Sequence, residues 1–163
     1  MKRKVLARIV SAVLVFAAVL ASVGCSAEKK AEFGFDNGSV VLVPGEKFNP
    51  GAQGVGETIG YMEAASCYYD GLDKIFSYDG YEVTTYPAED GDYIQDISIS
   101  AENVKTPEGI GVGSTLAQLE AAYGKDYTVT GKMYRFYEDG TKYRYFFLLD
   151  DVVKYYGYGI EVK

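Results

Sequence analysis

Polar and apolar residues alternate along Asp92-Tyr-Ile-Gln-Asp-Ile-Ser-Ile-Ser100, with Ile97 and Ile99 on one side and Asp96, Ser98 and Ser100 on the other. A period of two is that of a strand with one wet face. Turn signals divide the rest of the chain into further short strands. Asn37-Gly38 between Phe33-Gly-Phe35 and Val40-Val-Leu-Val43 predicts a hairpin with a type I′ turn. Asp79-Gly80 separates Lys74–Tyr78 from Tyr81–Tyr86, and Asp139-Gly140 separates Met133–Tyr137 from Lys142–Leu149. Asp150-Asp151 then turns the chain into Val152–Tyr156, which makes a three-stranded meander. The period changes to that of a helix in Gly113-Ser-Thr-Leu-Ala-Gln-Leu-Glu-Ala-Ala-Tyr-Gly124. Ser114 or Thr115 offers an N-cap, Gln118 lies three residues after Thr115 at the spacing of a capping box, Gly124 suits the residue past the end, and Leu116, Leu119 and Tyr123 share a face.

The two halves have similar punctuation. Gly45 to Gly56 spans the same interval as Gly113 to Gly124, with Phe48 matching Leu116. Each segment precedes an Asp-Gly hairpin and then a strand opened by an acid, Asp92 or Asp151. The spacing predicts tandem copies, about 32–104 and 105–163, in which Asp79-Gly80 superposes on Asp139-Gly140. The first copy is degenerate: Pro50, Gly51 and Gly54 make a poor helix, and about eight extra residues lie near 57–69. Chance recurrence of Gly and Asp-Gly in a glycine-rich chain is the alternative.

The N-terminus reads as an address. Lys2, Arg3, Lys4 and Arg8 precede an apolar run from Ile9 to Ala21 interrupted only by Ser11. This run is shorter than the ~20 residues of a comfortable membrane span. Ser22-Val-Gly-Cys25 resembles a bacterial lipobox, with Gly24 before the cysteine and Ser22 where such boxes more often have Leu. The resemblance implies a signal peptide over 1–24, a diacylated Cys25 with a tether over 25–31, and one globular domain over 32–163. The mature protein would then sit on the outer side of the cell membrane, held by at least two acyl chains because one is marginal. A secretory signal with an incidental cysteine, or an uncleaved anchor helix, is the alternative. Cys67, left without a partner in the chain, reads as a small buried hydrophobe.

Composition narrows the chemistry. The 163 residues include 16 Lys+Arg, 23 Asp+Glu and no His, so triads, His-ligated zinc or haem, and histidine switches are excluded. Beyond the four N-terminal cations the balance is 12 positive to 23 negative charges, a net of −11. Such a body repels nucleic acid and anionic lipid heads and favours a neutral or cationic partner.

Thr106–Gly124, together with Ala65–Phe76 and Thr84-Thr-Tyr-Pro87, resembles a family of uncharacterised small lipoproteins of Gram-positive bacteria. More remotely, the Gly-Ile-x-x-Gly helix ending in Tyr-Gly and followed by a meander is similar to the β-lactamase-inhibitor-like fold and to the small lipoprotein of outer-membrane barrel assembly. The resemblance implies an α+β fold: two helix-plus-antiparallel-meander repeats forming one curved antiparallel sheet with helices packed on one side. It implies no catalytic residue.

The acidic runs Glu89-Asp90-Gly91-Asp92 and Asp150-Asp151 read as solvated turns, because EF-hand spacing is absent. Gly51–Gly56 lacks the Lys-Ser/Thr of a phosphate loop. No cofactor and no metal is expected. All 16 tyrosines follow residue 60, and nine lie between Tyr123 and Tyr158. Tyr137, Tyr143 and Tyr145 are the candidate binding residues, since Tyr offers rigid contact area with a polar tip; the plainer reading makes them ordinary strand residues. The expected function is a non-catalytic protein-binding or scaffolding lipoprotein. The alternative is a cell-wall carbohydrate-binding module or a glycoside hydrolase using its acidic loops, in which two carboxyls share an enclosed pocket.

Overall fold

Ten strands and one helix form the described part of the chain, residues 33–161 of this computed structural model. A two-stranded ladder of β1 (Phe35–Asp36) and β2 (Val41–Leu42) precedes an antiparallel sheet of eight strands. These are β3 (Gly60–Ala65), β4 (Leu72–Tyr78), β5 (Tyr81–Ala88), β6 (Gly91–Ile99), β7 (Thr128–Thr130), β8 (Met133–Tyr137), β9 (Lys142–Leu149) and β10 (Val152–Ile160). Their order is β3-β4-β5-β6-β10-β9-β8-β7. Helix α1 (Leu116–Tyr123) has Thr115 as its N-cap, and both halves of the Thr115–Gln118 capping box are made.

The expected α+β class, with helices of two repeats packed on one side of the sheet, is overturned. The described residues are 49% strand and 6% helix, and α1 is the one helix among them. Residues 45–56 form a succession of turns, because Pro50, Gly51 and Gly54 remove helix propensity and no capping residue replaces it. The Asn37-Gly38 turn is also not of type I′, since only Gly38 has a positive φ; Asn37 instead uses its side chain, accepting from the Ser39 and Val40 N–H groups and donating to the Gly54 carbonyl. The left-handed pair is Asp150-Asp151, at φ 53° and 57°, joining β9 to β10. Cys67 is exposed rather than buried. The anticipated signal segment and Cys25 lie outside the described residues.

Between the halves, strand pairing recurs. The N–H groups of Gly45 and Phe48 donate to the Ile94 and Asp92 carbonyls at 2.7 and 2.8 Å; those of Gly113 and Leu116 donate to the Val153 and Asp151 carbonyls at 2.9 Å. One residue bulges from β6 against β5 at Gln95, and one from β10 against β9 at Lys154. The central strands β6 and β10 meet about the Ser98–Gly157 pair, flanked by Ile97–Tyr158 and Ile99–Tyr156. The Asp-Gly turns do not superpose. Tyr78 pairs with Tyr81 directly across Asp79-Gly80, whereas Asp139-Gly140 sits beyond Tyr137–Tyr143 in a longer loop. The extra residues of the first half fall in the β3–β4 hairpin: Gly60 pairs with Ser77 where Thr128 pairs with Arg135, a hairpin longer by ten residues.

One face of the sheet holds the core. Phe76, Val83, Ile94, Ile97, Ile99, Phe136, Phe146, Val153, Tyr156 and Tyr158 are buried there with Phe35, Phe48 and Leu119. On that side Arg144 is buried and ion-paired to Glu138 at 2.9 Å and Glu108 at 3.3 Å, so its charge is compensated. Among the described residues no element packs on the opposite face. The bulges act on this second face: each gives its strand two consecutive residues off the core side, Gln95-Asp96 and Lys154-Tyr155, before burial resumes at Ile97 and Tyr156.

Candidate functional site

Where the two halves meet, the open face carries a groove of about 710 Å³ over β4, β5, β6, β10, β9 and β8. Its walls differ because topologically equivalent positions of the two halves carry different residues. Register places Ser77 opposite Glu82 on one side, and Arg135 opposite Tyr145 in the matching place on the other. Asp96 likewise corresponds to Tyr155. The first half supplies hydroxyls, the carboxyls Glu82 and Asp96 and the rings of Tyr78 and Tyr81, and the second supplies Tyr143, Tyr145 and Tyr155 with the cations Arg135 and Lys154.

Strand alternation does put Tyr137, Tyr143 and Tyr145 on one face, and that face is the open one, but they are not equally available. Tyr137 is 40% exposed and its hydroxyl donates to Glu161 at 2.7 Å. Tyr145 is only 6% exposed, and its hydroxyl donates to Asp96 at 2.7 Å. Tyr143 and Tyr145 lie across from Gly159 and Gly157, and a Cβ at either glycine would come within 2.7 Å of the facing ring. The two glycines are thus seats for the rings. Tyr143 carries the Arg135 guanidinium 4.8 Å from its centroid, and Tyr155 stacks on Phe147 at 4.8 Å and 8°. Burial, then the neighbouring Asp96, raises the Tyr145 hydroxyl far above its ordinary value; burial is also the leading cause for Tyr143.

Asp96 and Arg135 were not singled out from the sequence, and they dominate the electrostatics. Loss of hydration pushes the Asp96 carboxyl up from 3.8 to about 6, against the opposing pull of the Tyr145 hydroxyl and Arg135. A carboxyl whose folded value exceeds its unfolded one binds its proton more tightly in the folded state. Its contribution is fully present below the unfolded value and is lost as pH rises towards the folded one. Asp96→Asn retains an acceptor for Tyr145. It is expected to exceed the parent by about 2 kcal/mol in urea unfolding at about pH 8 and to match it near pH 4. Equal stability at both pH values would place this carboxyl in water.

Asp96 and Glu82 line the same groove, the latter accepting from Ser77 Oγ at 2.7 Å. The acidic loops proper are occupied locally. Asp90 binds Lys47 and Tyr93, which hold its carboxyl below the usual value; Asp92 pairs with Lys74 at 2.7 Å; Asp150 and Asp151 form the left-handed turn. Among the described residues no group of three His, Cys, Asp or Glu side chains converges as a metal site. The sequence signal for the groove is Tyr156-Gly-Tyr-Gly159, where glycines alternate with buried tyrosines and mark close approach on the other face. No family model, no curated protein and no solved structure matches this chain.

Proposed function

We propose that this chain is a non-catalytic binding module, anchored outside the cell membrane through Cys25, that seats a protein partner on the open face of its sheet. The observation behind this reading is the groove at the junction of the halves, lined on one side by Ser77, Glu82 and Asp96 and on the other by Arg135, Tyr143 and Tyr155. Mixed polar and aromatic surface with fixed side chains is the composition of a protein-recognition patch. A carbohydrate is the poorer fit. Sugar stacking needs a bare ring face, whereas Arg135 covers Tyr143, Phe147 covers Tyr155, and Tyr145 is buried.

One observation favours a second reading, glycoside hydrolysis. Glu82 and Asp96 are diagonal neighbours across β5 and β6, a relation that sets backbones ~7–8 Å apart, and Asp96 is held partly protonated near neutral pH. In that reading Asp96 is the acid. Against it, both carboxyls sit on the same floor of the groove rather than on opposite sides of a sugar-sized slot.

The test places a photoreactive amino acid at Ser100, exposed at the groove, or at Ala117, exposed on α1, in the full chain made by its native cells. A discrete crosslinked protein is expected from Ser100 and not from Ala117. Identical products from both positions, or a glycan product from Ser100, would refute the protein-binding reading.

A further inference from the structure

The groove contains a cation that the fold leaves uncommitted. The two arginines of the described residues are used differently: Arg144 is held by Glu108 and Glu138, whereas among the described residues no carboxylate stands within ion-pair distance of Arg135. The Arg135 Nε is buried without a hydrogen-bond partner among the described residues, while the side chain lines the groove. The guanidinium carbon lies 4.8 Å from the centroid of the Tyr143 ring, which is itself seated on Gly159. The carboxyl nearest in effect, Asp96, is engaged by Tyr145 at 2.7 Å. Lys154, lifted to this face by the β10 bulge, adds a second cation without an ion pair among the described residues.

A guanidinium is stiff, planar and forked, and carboxylates are its best-matched partners. Leaving one unpaired in a partly desolvated groove costs stability, which a ligand of opposite charge restores on binding. We propose that Arg135 is the anchor for a carboxylate of the bound protein segment, an Asp or Glu side chain or a chain end, with Lys154 beside it. The inference rests on the open-face binding reading and adds the chemistry of the contact. It also reverses locally what the acidic body as a whole suggests: the net charge of −11 outside the N-terminal cluster turns polyanions away in general, and within the groove these two cations accept an acidic segment. The opposite wall, with Glu82 and Asp96, then suits amide or ammonium donors of the same segment. From β5 to β8 the sheet covers four strand spacings, about 19 Å, the reach of roughly six extended residues.

The test uses two blocked peptides, acetyl-Gly-Glu-Gly-Glu-Gly-amide and its Gln counterpart, titrated against the full chain at low salt. The Glu peptide is expected to bind roughly tenfold or more tightly than the Gln peptide, as a lost charged hydrogen bond implies. Arg135→Gln should abolish that preference, Arg135→Lys should keep part of it, and neither change should lower the thermal unfolding midpoint appreciably. Equal binding of the two peptides, no binding of the Glu peptide, or a preference that survives in Arg135→Gln would overturn the anchor. A second arm separates this failure from that of the underlying reading. In native cells the Ser100 crosslink should disappear in Arg135→Gln. A crosslink that persists at full yield refutes the carboxylate anchor and leaves the binding face standing; no crosslink from the unaltered chain removes both.

Discussion

Gly157→Ala is expected to cost more than about 3 kcal/mol, enough to unfold much of a domain whose total stability is on the order of 5–15 kcal/mol. Gly157 lies on β10 at the centre of the sheet, between Tyr145 of β9 and Ser98 of β6. A Cβ there would stand 2.5 Å from the tip of the Tyr145 ring and overlap the Ile97 carbonyl oxygen. Neither neighbour can give way cheaply. The ring is tied to Asp96 through its hydroxyl, and the carbonyl belongs to the backbone of the central strand β6. Overpacking of this kind forces backbone movement as well as rotamer change. Gly140 is the control: its φ is 86° and nothing lies near its would-be Cβ, so Gly140→Ala carries only the left-handed strain of about 1 kcal/mol. Urea unfolding of the two variants measures the difference, and a loss below about 1 kcal/mol for Gly157→Ala would mean that Tyr145 does not lie on the glycine.

The second large effect separates two adjacent phenylalanines. Phe146 has no exposed surface and sits among Tyr123, Phe136 and Tyr156 with ring centroids at 5.4, 5.9 and 5.9 Å. Phe147 points to the open face, half-buried against Tyr155. Phe146→Ala is expected to cost about 3–5 kcal/mol, from lost transfer energy plus an aromatic-lined cavity. Phe147→Ala loses one stacked pair and part of its burial, about 1 kcal/mol. Equal losses, or the reverse order, would show that the face described as open is packed.

Local signals in the sequence led directly to several elements. The Thr115–Gln118 box capped the one helix, and Asp79-Gly80 and Asp139-Gly140 marked loops between strands that the structure also has. Alternation in β6 put Ile97 and Ile99 inward, but Ile94 also points inward, three residues earlier, because Gln95 bulges; only the pairing with β5 shows this. The segment 45–56 misled because glycine spacing matched Gly113–Gly124 while the helix-forming side chains did not. Strand β3 escaped notice because Gly-Tyr-Met-Glu-Ala-Ala is almost wholly exposed at the sheet edge and has no buried period to read. The groove shows the same limit. Alternation placed Tyr143 with Tyr145, but which face they shared was decided by β10 pairing with β6, a contact between the two halves of the chain. Asp96 and Arg135 come together through that pairing too, four strands spanning the interval from β6 to β8.

On the proposed reading one face of the sheet maintains the fold and the other meets a partner. Ser100 crosslinking in native cells with Tyr155→Ala added, alongside the thermal unfolding of the same variant, separates these two roles. Tyr155 is a groove residue on the open face, opposite Phe147, and its ring contacts are the stack on Phe147 and an edge-on approach to Tyr145 on the same face. The expected result is a lost or strongly reduced crosslink with an unfolding midpoint lowered by no more than the few degrees that loss of the stack on Phe147 implies. A crosslink at full yield, with the midpoint lowered as a core truncation would lower it, would contradict the account.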